Sequence, residues 1–481
     1  MNARLITVLI VLAAVIGSAL GVVYTRHDID RLRELRRLPA EDRLAMKAVS
    51  AVLPFRVNRY VIDNLIDWGA VPEDPIFQLT FPQRGMLAPE AFDRMAGLVA
   101  RGAPRDALRV AASEIRRGLN PNPAGQKDLN VPRHDGRPIP GLQHKYRETV
   151  VFFPSAGQTC HTYCSYCFRW SQFVGEPDLR FAAREAGTLV RYLRRHPEVT
   201  SVLVTGGDPL VMKSRTLRRY LEPLLAPELA HVTSIRIGTK ATSYWPHRFT
   251  TDADADELLR VFERVRESGR TLALMAHYSH PRELEPTEAR RALRRVQDAG
   301  AEVRCQAPLI RHVNDDAETW RELLDREVQL DAHPYYMFVE RDTGARGYFE
   351  VPLGRAHRIF TDAWRRVTGL ARTIRGPSMS CNPGKVLVDD IVEIAGEAVF
   401  ALKFLQGRNP EWAGRVFFAR YDERATWIDQ LQPAFGAARF FFEEEMEAMQ
   451  RTGLARPWRP DQRPPAAGPG GARTPAGRSG P

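Results

Sequence analysis

Three cysteines lie within eight residues, Cys160, Cys164 and Cys167, in the spacing C-x3-C-x2-C. Thiolates are soft ligands suited to zinc or to iron–sulfur clusters. A structural zinc ordinarily takes four protein ligands, and His161 inside the loop could supply the fourth. A four-thiolate electron-transfer cluster falls one ligand short, because the remaining cysteines, Cys305 and Cys381, are far away along the chain. Three thiolates on a four-iron cluster would leave one iron open to a substrate or cofactor, which is a catalytic arrangement. With five cysteines in 481 residues, a disulfide scaffold is excluded. Amine chemistry has few candidates. Of 69 basic residues only seven are lysines, at positions 47, 127, 145, 213, 240, 385 and 403.

The elements that must position these residues follow a regular alternation. Short β-rich runs occur at Val150–Phe153, Ser201–Val204, Ser234–Ile237, Thr271–Met275, Val303–Ala307 and Tyr335–Val339. Helical periodicity separates them near 183–195, 214–225, 252–268, 286–299, 316–329 and 353–367. Six βα units in series predict an α/β fold with a right-handed parallel sheet, either open and doubly wound or a partial barrel. The unusual residues all stand just after the strands. The cysteines follow the first, Gly206-Gly207-Asp208-Pro209 the second, Gly238-Thr239-Lys240 the third and His277-Tyr278-Ser279-His280 the fourth. Gln306 ends the fifth and Glu340-Arg341-Asp342 follow the sixth. Parallel α/β folds bind ligands at the carboxyl ends of their strands, so one site is expected there.

The cysteine spacing, with Tyr166 before the last thiol and the Gly-Gly-Asp-Pro turn after the next strand, resembles the radical S-adenosylmethionine (SAM) enzymes. That resemblance implies a partial (β/α)6 barrel. In it Cys160, Cys164 and Cys167 would hold a [4Fe-4S] cluster whose open iron chelates SAM and cleaves it to a 5′-deoxyadenosyl radical. Further segments narrow the resemblance to the lysine 2,3-aminomutase family. They are His144-Lys145-Tyr146, Cys167-Phe168-Arg169, Thr205–Pro209, Arg236-Ile237-Gly238, His277–Pro281 and Val313-Asn314-Asp315, and with Lys385 they cover roughly half the chain.

Membership would imply an isomerase that uses pyridoxal phosphate (PLP) and shifts an amino group by one carbon. PLP needs a lysine for its resting Schiff base, and Lys385 in Asn382-Pro383-Gly384-Lys385 stands at that place. Lys145 and Tyr146 match the family's phosphate-binding stretch, in which a further arginine corresponds to Thr149 here. Arg169 matches the arginine that pairs with the substrate carboxylate, a task suited to a bidentate guanidinium. Gly206, Gly207 and Asp208 would give close backbone approach for the methionine amine of SAM, and His277 and Gln306 would line its ribose and adenine. Two aspartates that hold the distal ammonium of lysine in the family are missing. Arg341 falls at one position, with Asp342 a step away, and Ser378 at the other. Free L-lysine is therefore a doubtful substrate, and an amino acid with an acidic or polar side chain is an equal candidate. Two other readings stand beside this one: a PLP-independent radical SAM enzyme acting on peptide or RNA, and a non-enzymatic zinc or iron–sulfur redox module.

Composition is that of an ordinary globular chain, 44% hydrophobic and 26% charged, which excludes a collagenous, disordered or multi-span membrane protein. The net charge of +11 can accompany nucleic-acid binding. The Arg-rich stretches, such as Arg290–Arg295, lack interleaved aromatics and lie on amphipathic helices, so solvated faces are expected and no nucleic-acid partner. Leu5–Thr25 is uncharged for 21 residues and six arginines follow before position 44, which would place an inner-membrane anchor with its following domain in the cytoplasm. A secretory signal and a true start at Met46 are the alternatives, and a reducing compartment for the cluster argues against secretion. The organisation expected is residues 1–45 as anchor and juxtamembrane segment, 46–144 as a helical lead-in and 145–370 as the barrel. A small α+β extension at 371–455 bears Lys385, and 456–481 is a Pro/Gly/Arg tail. Partners implied are a small amino acid, a one-electron reductant of the flavodoxin or ferredoxin type, a membrane tether and a second copy in a homo-oligomer.

Overall fold

The computed structural model describes residues 21–134 and 136–451, so most of the anchor segment and the whole 456–481 tail lie outside the described residues. One sheet of 11 strands forms the frame, and its strands lie side by side in chain order. They are β1 (Leu142–Tyr146), β2 (Thr149–Phe152), β3 (Ser201–Val204), β4 (Ser234–Thr239), β5 (Thr271–His277), β6 (Glu302–Leu309), β7 (His333–Val339), β8 (Arg375–Ser380), β9 (Gly384–Ile394), β10 (Glu397–Gly407) and β11 (Val416–Arg420). Pairing is parallel from β2 through β8 and antiparallel at both ends. The sheet is thus an open, partial barrel with one more parallel strand than the sequence pattern predicts. The extra strand, β8, reads Arg-Gly-Pro-Ser-Met-Ser and lacks the branched apolar alternation that marks a strand.

Each parallel crossover carries a helix: α1 (Gly187–Arg194), α2 (Ser214–Leu221), α3 (Ala255–Glu267), α4 (Thr287–Asp298), α5 (Ala317–Gln329) and α6 (Leu353–Arg365). The pattern in α4 shows why. Ala289, Ala292, Leu293 and Val296 are buried, the i, i+3, i+4, i+7 spacing that forms one apolar stripe. The arginines between them point away from the core, and Arg295 reaches Asp256 on α3 at 2.5 Å. This arginine-rich run is a solvated helix face.

The lead-in packs across the carboxyl ends of the strands. Its helices Ala40–Val52, Pro89–Ala100 and Arg105–Gly118 share a second core with Trp170, Tyr244, Ile310 and Phe349 of the barrel loops. Buried Asp74 caps a short helix through Phe77 N–H at 2.8 Å and also pairs with Arg282 of the barrel. The core starts upstream of residue 46: Met46 lies inside a helix, and Ile29, Leu32 and Leu35 are buried beside it. Val23–Thr25, the end of the uncharged run, is a strand paired with Arg56–Asn58. Among the described residues no helix is long and apolar enough to cross a membrane. Residues 371–451 form β8 to β11, a third core rich in Phe and Trp, and a final helix at Glu443–Arg451.

Candidate active site

The mouth of the barrel holds a cavity of about 340 Å³. Its wall contains Cys160, Cys164, Cys167, Arg169, Gly206, Gly207, Asp208, His277, Gln306, Tyr146 and Lys385. Of the residues expected to hold the cluster, SAM, PLP or the substrate carboxylate, Lys145 alone is absent from the wall. Its ammonium instead donates to the Cys381 carbonyl, bracing the turn that leads to Lys385.

The cysteine loop is held from both sides. On the lead-in side, Tyr163 N–H donates to Arg56 O at 2.9 Å and Ser165 N–H to Leu79 O at 2.9 Å. On the barrel side, Gly207 N–H donates to Gly157 O at 3.0 Å and Asp208 N–H to Thr159 O at 2.7 Å. These last contacts explain the glycine pair. A Cβ on Gly207 would sit 2.2 Å from Thr159 O, and one on Gly206 would sit 2.2 Å from the Gln158 amide. Gly207→Ala should therefore push the loop off its seat, at a cost of about 1–3 kcal/mol. Thermal denaturation should show the lower melting temperature, and iron uptake should fall with it.

The three thiols face the same space, and neither Cys305 nor Cys381 reaches the wall. Burial pushes the Cys167 thiol up to about 12 and raises Cys160 and Cys164 as well. Arg169 opposes this at Cys160 and Cys167, and Lys240 opposes it at Cys164. Iron would have to displace the protons, as metals do at thiol sites. His161 stacks on Trp245, with centroids 5.8 Å apart. Among the described residues no three His, Cys, Asp or Glu side chains gather tightly enough around one point to hold a single ion. The donors present are three thiols on one loop, which fit a cluster that seats each cysteine on its own iron.

Asp208 is fully engaged. Its carboxylate accepts from Thr239 Oγ1 at 2.8 Å, Lys240 N–H at 2.9 Å and Leu210 N–H at 2.9 Å. It latches the end of β3 to the end of β4. His277 and Gln306 are register partners on β5 and β6, with their Nε2 atoms 2.8 Å apart. Burial, with help from Lys240 and Arg169, pushes His277 down to about 3, so the ring is neutral.

Arg169 donates through Nη1 to Thr205 Oγ1 at 3.0 Å and Gly206 O at 2.9 Å. Its guanidinium lies 5.1 Å from the Phe168 ring centroid, and Arg341 lies 4.8 Å from the same ring. Two cations thus share one aromatic residue in the wall. Asp342 does not join them; its Oδ2 accepts from Asn120 Nδ2 at 3.0 Å. Ser378 is fully buried outside the wall, while Ser380, on the same face of β8, lines it. The carboxyl in the wall nearest Arg341 is Glu340, which burial raises well above the usual carboxylate range.

Lys385 is the second residue of β9, and its ammonium position lies 4.0 Å from the centroid of Tyr336 and 5.5 Å from that of Phe338. Burial, aided by Arg236 and Arg375, pushes this amine down to about 7. The aromatic pair escaped the sequence reading, although the alternation in His-Pro-Tyr-Tyr-Met-Phe-Val puts Tyr336 and Phe338 on one face of β7. Arg236 also escaped as an individual residue; it lines the cavity from β4.

No family model matches the chain. It is 30% identical over 404 residues to an Aquifex aeolicus protein provisionally named L-lysine 2,3-aminomutase, covering 84% of this chain and 94% of that one. With the L-lysine 2,3-aminomutase of Clostridium subterminale the identity is 30% over 264 residues, 54% of this chain and 59% of the relative. The crystal structure of Streptococcus suis SuiB bound to its precursor peptide SuiA gives a TM-score of 0.32 at 15% identity over 56% of both chains, too remote to argue from. The first of these likenesses runs through the barrel, the cysteine loop and the Lys385 segment alike, and on that extent the chain belongs to the lysine 2,3-aminomutase family of radical SAM enzymes.

Proposed function

We propose that the protein is a radical SAM aminomutase that uses PLP to move an amino group between adjacent carbons of a free amino acid other than lysine. One observation carries the reading: Lys385, with an amine near 7, stands in the same cavity wall as the three cysteines and Arg169. The residues fit the groups implied. Three thiols suit the cluster, the strand-end glycines with His277 and Gln306 suit SAM, and an amine over two aromatic rings suits PLP. When bound, the cluster and SAM supply hydrogen abstraction, and PLP delocalises the unpaired electron of the migrating centre.

The chain's own residues do the rest. Arg169 keeps Nη1 on Thr205 and Gly206, which fixes the plane of its guanidinium for a substrate carboxylate. The lead-in holds the cysteine loop in place through Arg56 O and Leu79 O. Neutral His277 offers hydrogen bonding without adding another charge beside Lys240 and Arg169.

The test is anaerobic reconstitution with iron, sulfide and PLP, followed by a screen of amino acids for 5′-deoxyadenosine and β-amino acid products. Borohydride should fix PLP on Lys385, identified by peptide mapping. Label on other lysines only, or SAM cleavage with no β-amino acid from any substrate, would overturn the proposal in favour of a PLP-independent radical SAM enzyme.

A further inference from the structure

The cavity holds a second cationic position away from the cysteine loop. Arg236 is the third residue of β4. Its neighbours Ile235 and Ile237 are fully buried towards the helices, so Arg236 faces inwards into the cavity. The cysteine loop meets β4 at its far end, where Lys240 lies; four residues of strand separate the two, about 13 Å. Arg236 is poorly satisfied there. Its Nη2 makes one long contact, 3.4 Å, to Thr149 Oγ1, and its Nε is buried without any partner. Among the described residues no carboxylate pairs with it, and the groups that face it are the phenols of Tyr335 and Tyr336. A guanidinium withdrawn from water and left unpaired is costly, and a bound anion would remove that cost.

The neighbourhood matches one part of a known ligand. Lys385 is close enough to Arg236 for the two charges to repel. Tyr146 and Thr149 flank the same wall from β1 and β2. Lys145, the phosphate ligand expected from the sequence, is spent on the Cys381 carbonyl, and Thr149 is a hydroxyl where an arginine was expected. Arg341 also has a buried Nε without a partner, but it lies over Phe168 on the side of Arg169. Arg375 lies over Tyr335 and Tyr336 outside the cavity wall. Among the described residues Arg236 is the unpaired guanidinium in the wall that adjoins both Lys385 and Thr149.

From this arrangement we infer that Arg236, with Thr149 beside it, is the principal phosphate-binding residue for PLP in this chain, in place of a cradle on the β1–β2 turn. The inference rests on the PLP reading above. Arg236 is a binding residue for the cofactor and takes no part in bond breaking.

The test compares PLP with pyridoxal, which carries the same aldehyde but no phosphate. Binding is read as borohydride-fixed incorporation at Lys385 across a concentration series. Arg236→Met should weaken PLP roughly ten- to a hundredfold, the worth of a charge-assisted contact, and leave pyridoxal within about twofold. Arg236→Lys should retain part of the preference. If Arg236→Met is unstable by thermal melting, Arg236→Lys is judged by the same ratio. A variant with the wild-type preference for PLP over pyridoxal overturns the inference and leaves the PLP reading intact. Wild-type protein that takes neither aldehyde at Lys385 overturns both.

Discussion

Lys385→Met should abolish β-amino acid formation while iron content and reductive SAM cleavage persist. The two functions separate because the thiols sit on the loop after β2, whereas the amine comes from β9, across the cavity. Of the seven lysines, Lys240 and Lys385 line this cavity, and Lys240 is committed to buried Glu283 and to His277 O at 3.0 Å. No second amine is placed to substitute. The pH profile gives an independent sign. An amine near 7 is mostly neutral at pH 8, whereas one near 10.4 is about 0.4% neutral there. Lys385 should thus react with PLP roughly two hundred times faster at pH 8 than an ordinary lysine of equal access. Stability carries the same signature. The folded chain holds this proton less tightly than the unfolded chain, so the cost of burying Lys385 is full below about pH 7 and disappears as pH rises towards 10.5. Wild-type stability should therefore climb relative to Lys385→Met over that window. A difference that is flat with pH would show that the amine is not held near 7.

The frame of this site was largely legible in the chain because parallel strands and amphipathic helices differ in period. Six strands and all six helices were placed within a few residues, and the cysteine loop, the glycine turn and Lys385 meet in one cavity. What was not legible depends on side-chain direction. Lys145 looked like an anion ligand from its neighbours in sequence, yet it points to the Cys381 carbonyl. The latch made by the Asp208 carboxylate, whose acceptors are taken up by the end of β4 and the turn after β3, likewise has no signal in the sequence. Arg236 gave no signal beyond its motif, since nothing in sequence tells that its Nε lacks a partner. Strand β8 was missed for a different reason: its residues lack the branched apolar alternation of a strand, and pairing with β7 on one side and β9 on the other makes the extended conformation worthwhile there.

Free L-lysine should turn over poorly, by about three powers of ten relative to the preferred substrate. The distal ammonium of lysine would enter a wall where Arg341 lies 4.8 Å from the Phe168 ring and Arg169 lies 5.1 Å from it. A unit charge about 4 Å away is worth on the order of 4 kcal/mol at an effective dielectric near 20, and each 1.4 kcal/mol is about tenfold. The local carboxyls counter Arg341 only in part. Burial pushes Glu340 well above the usual carboxylate range, Asp342 is tied to Asn120, and Ser378 is outside the wall and uncharged. The same cations would attract a side chain that ends in a carboxylate, or tolerate one that is neutral and polar. Arg341→Asp should therefore raise the kcat/KM for L-lysine and lower it for an acidic amino acid, with the cluster and PLP content unchanged. The reciprocal movement separates a charge effect from general damage, which would depress both. Efficient conversion of L-lysine to β-lysine by the wild-type protein would sink the argument, and would require Glu340 to ionise despite its burial, or Asp342 to turn inwards, and take the ammonium.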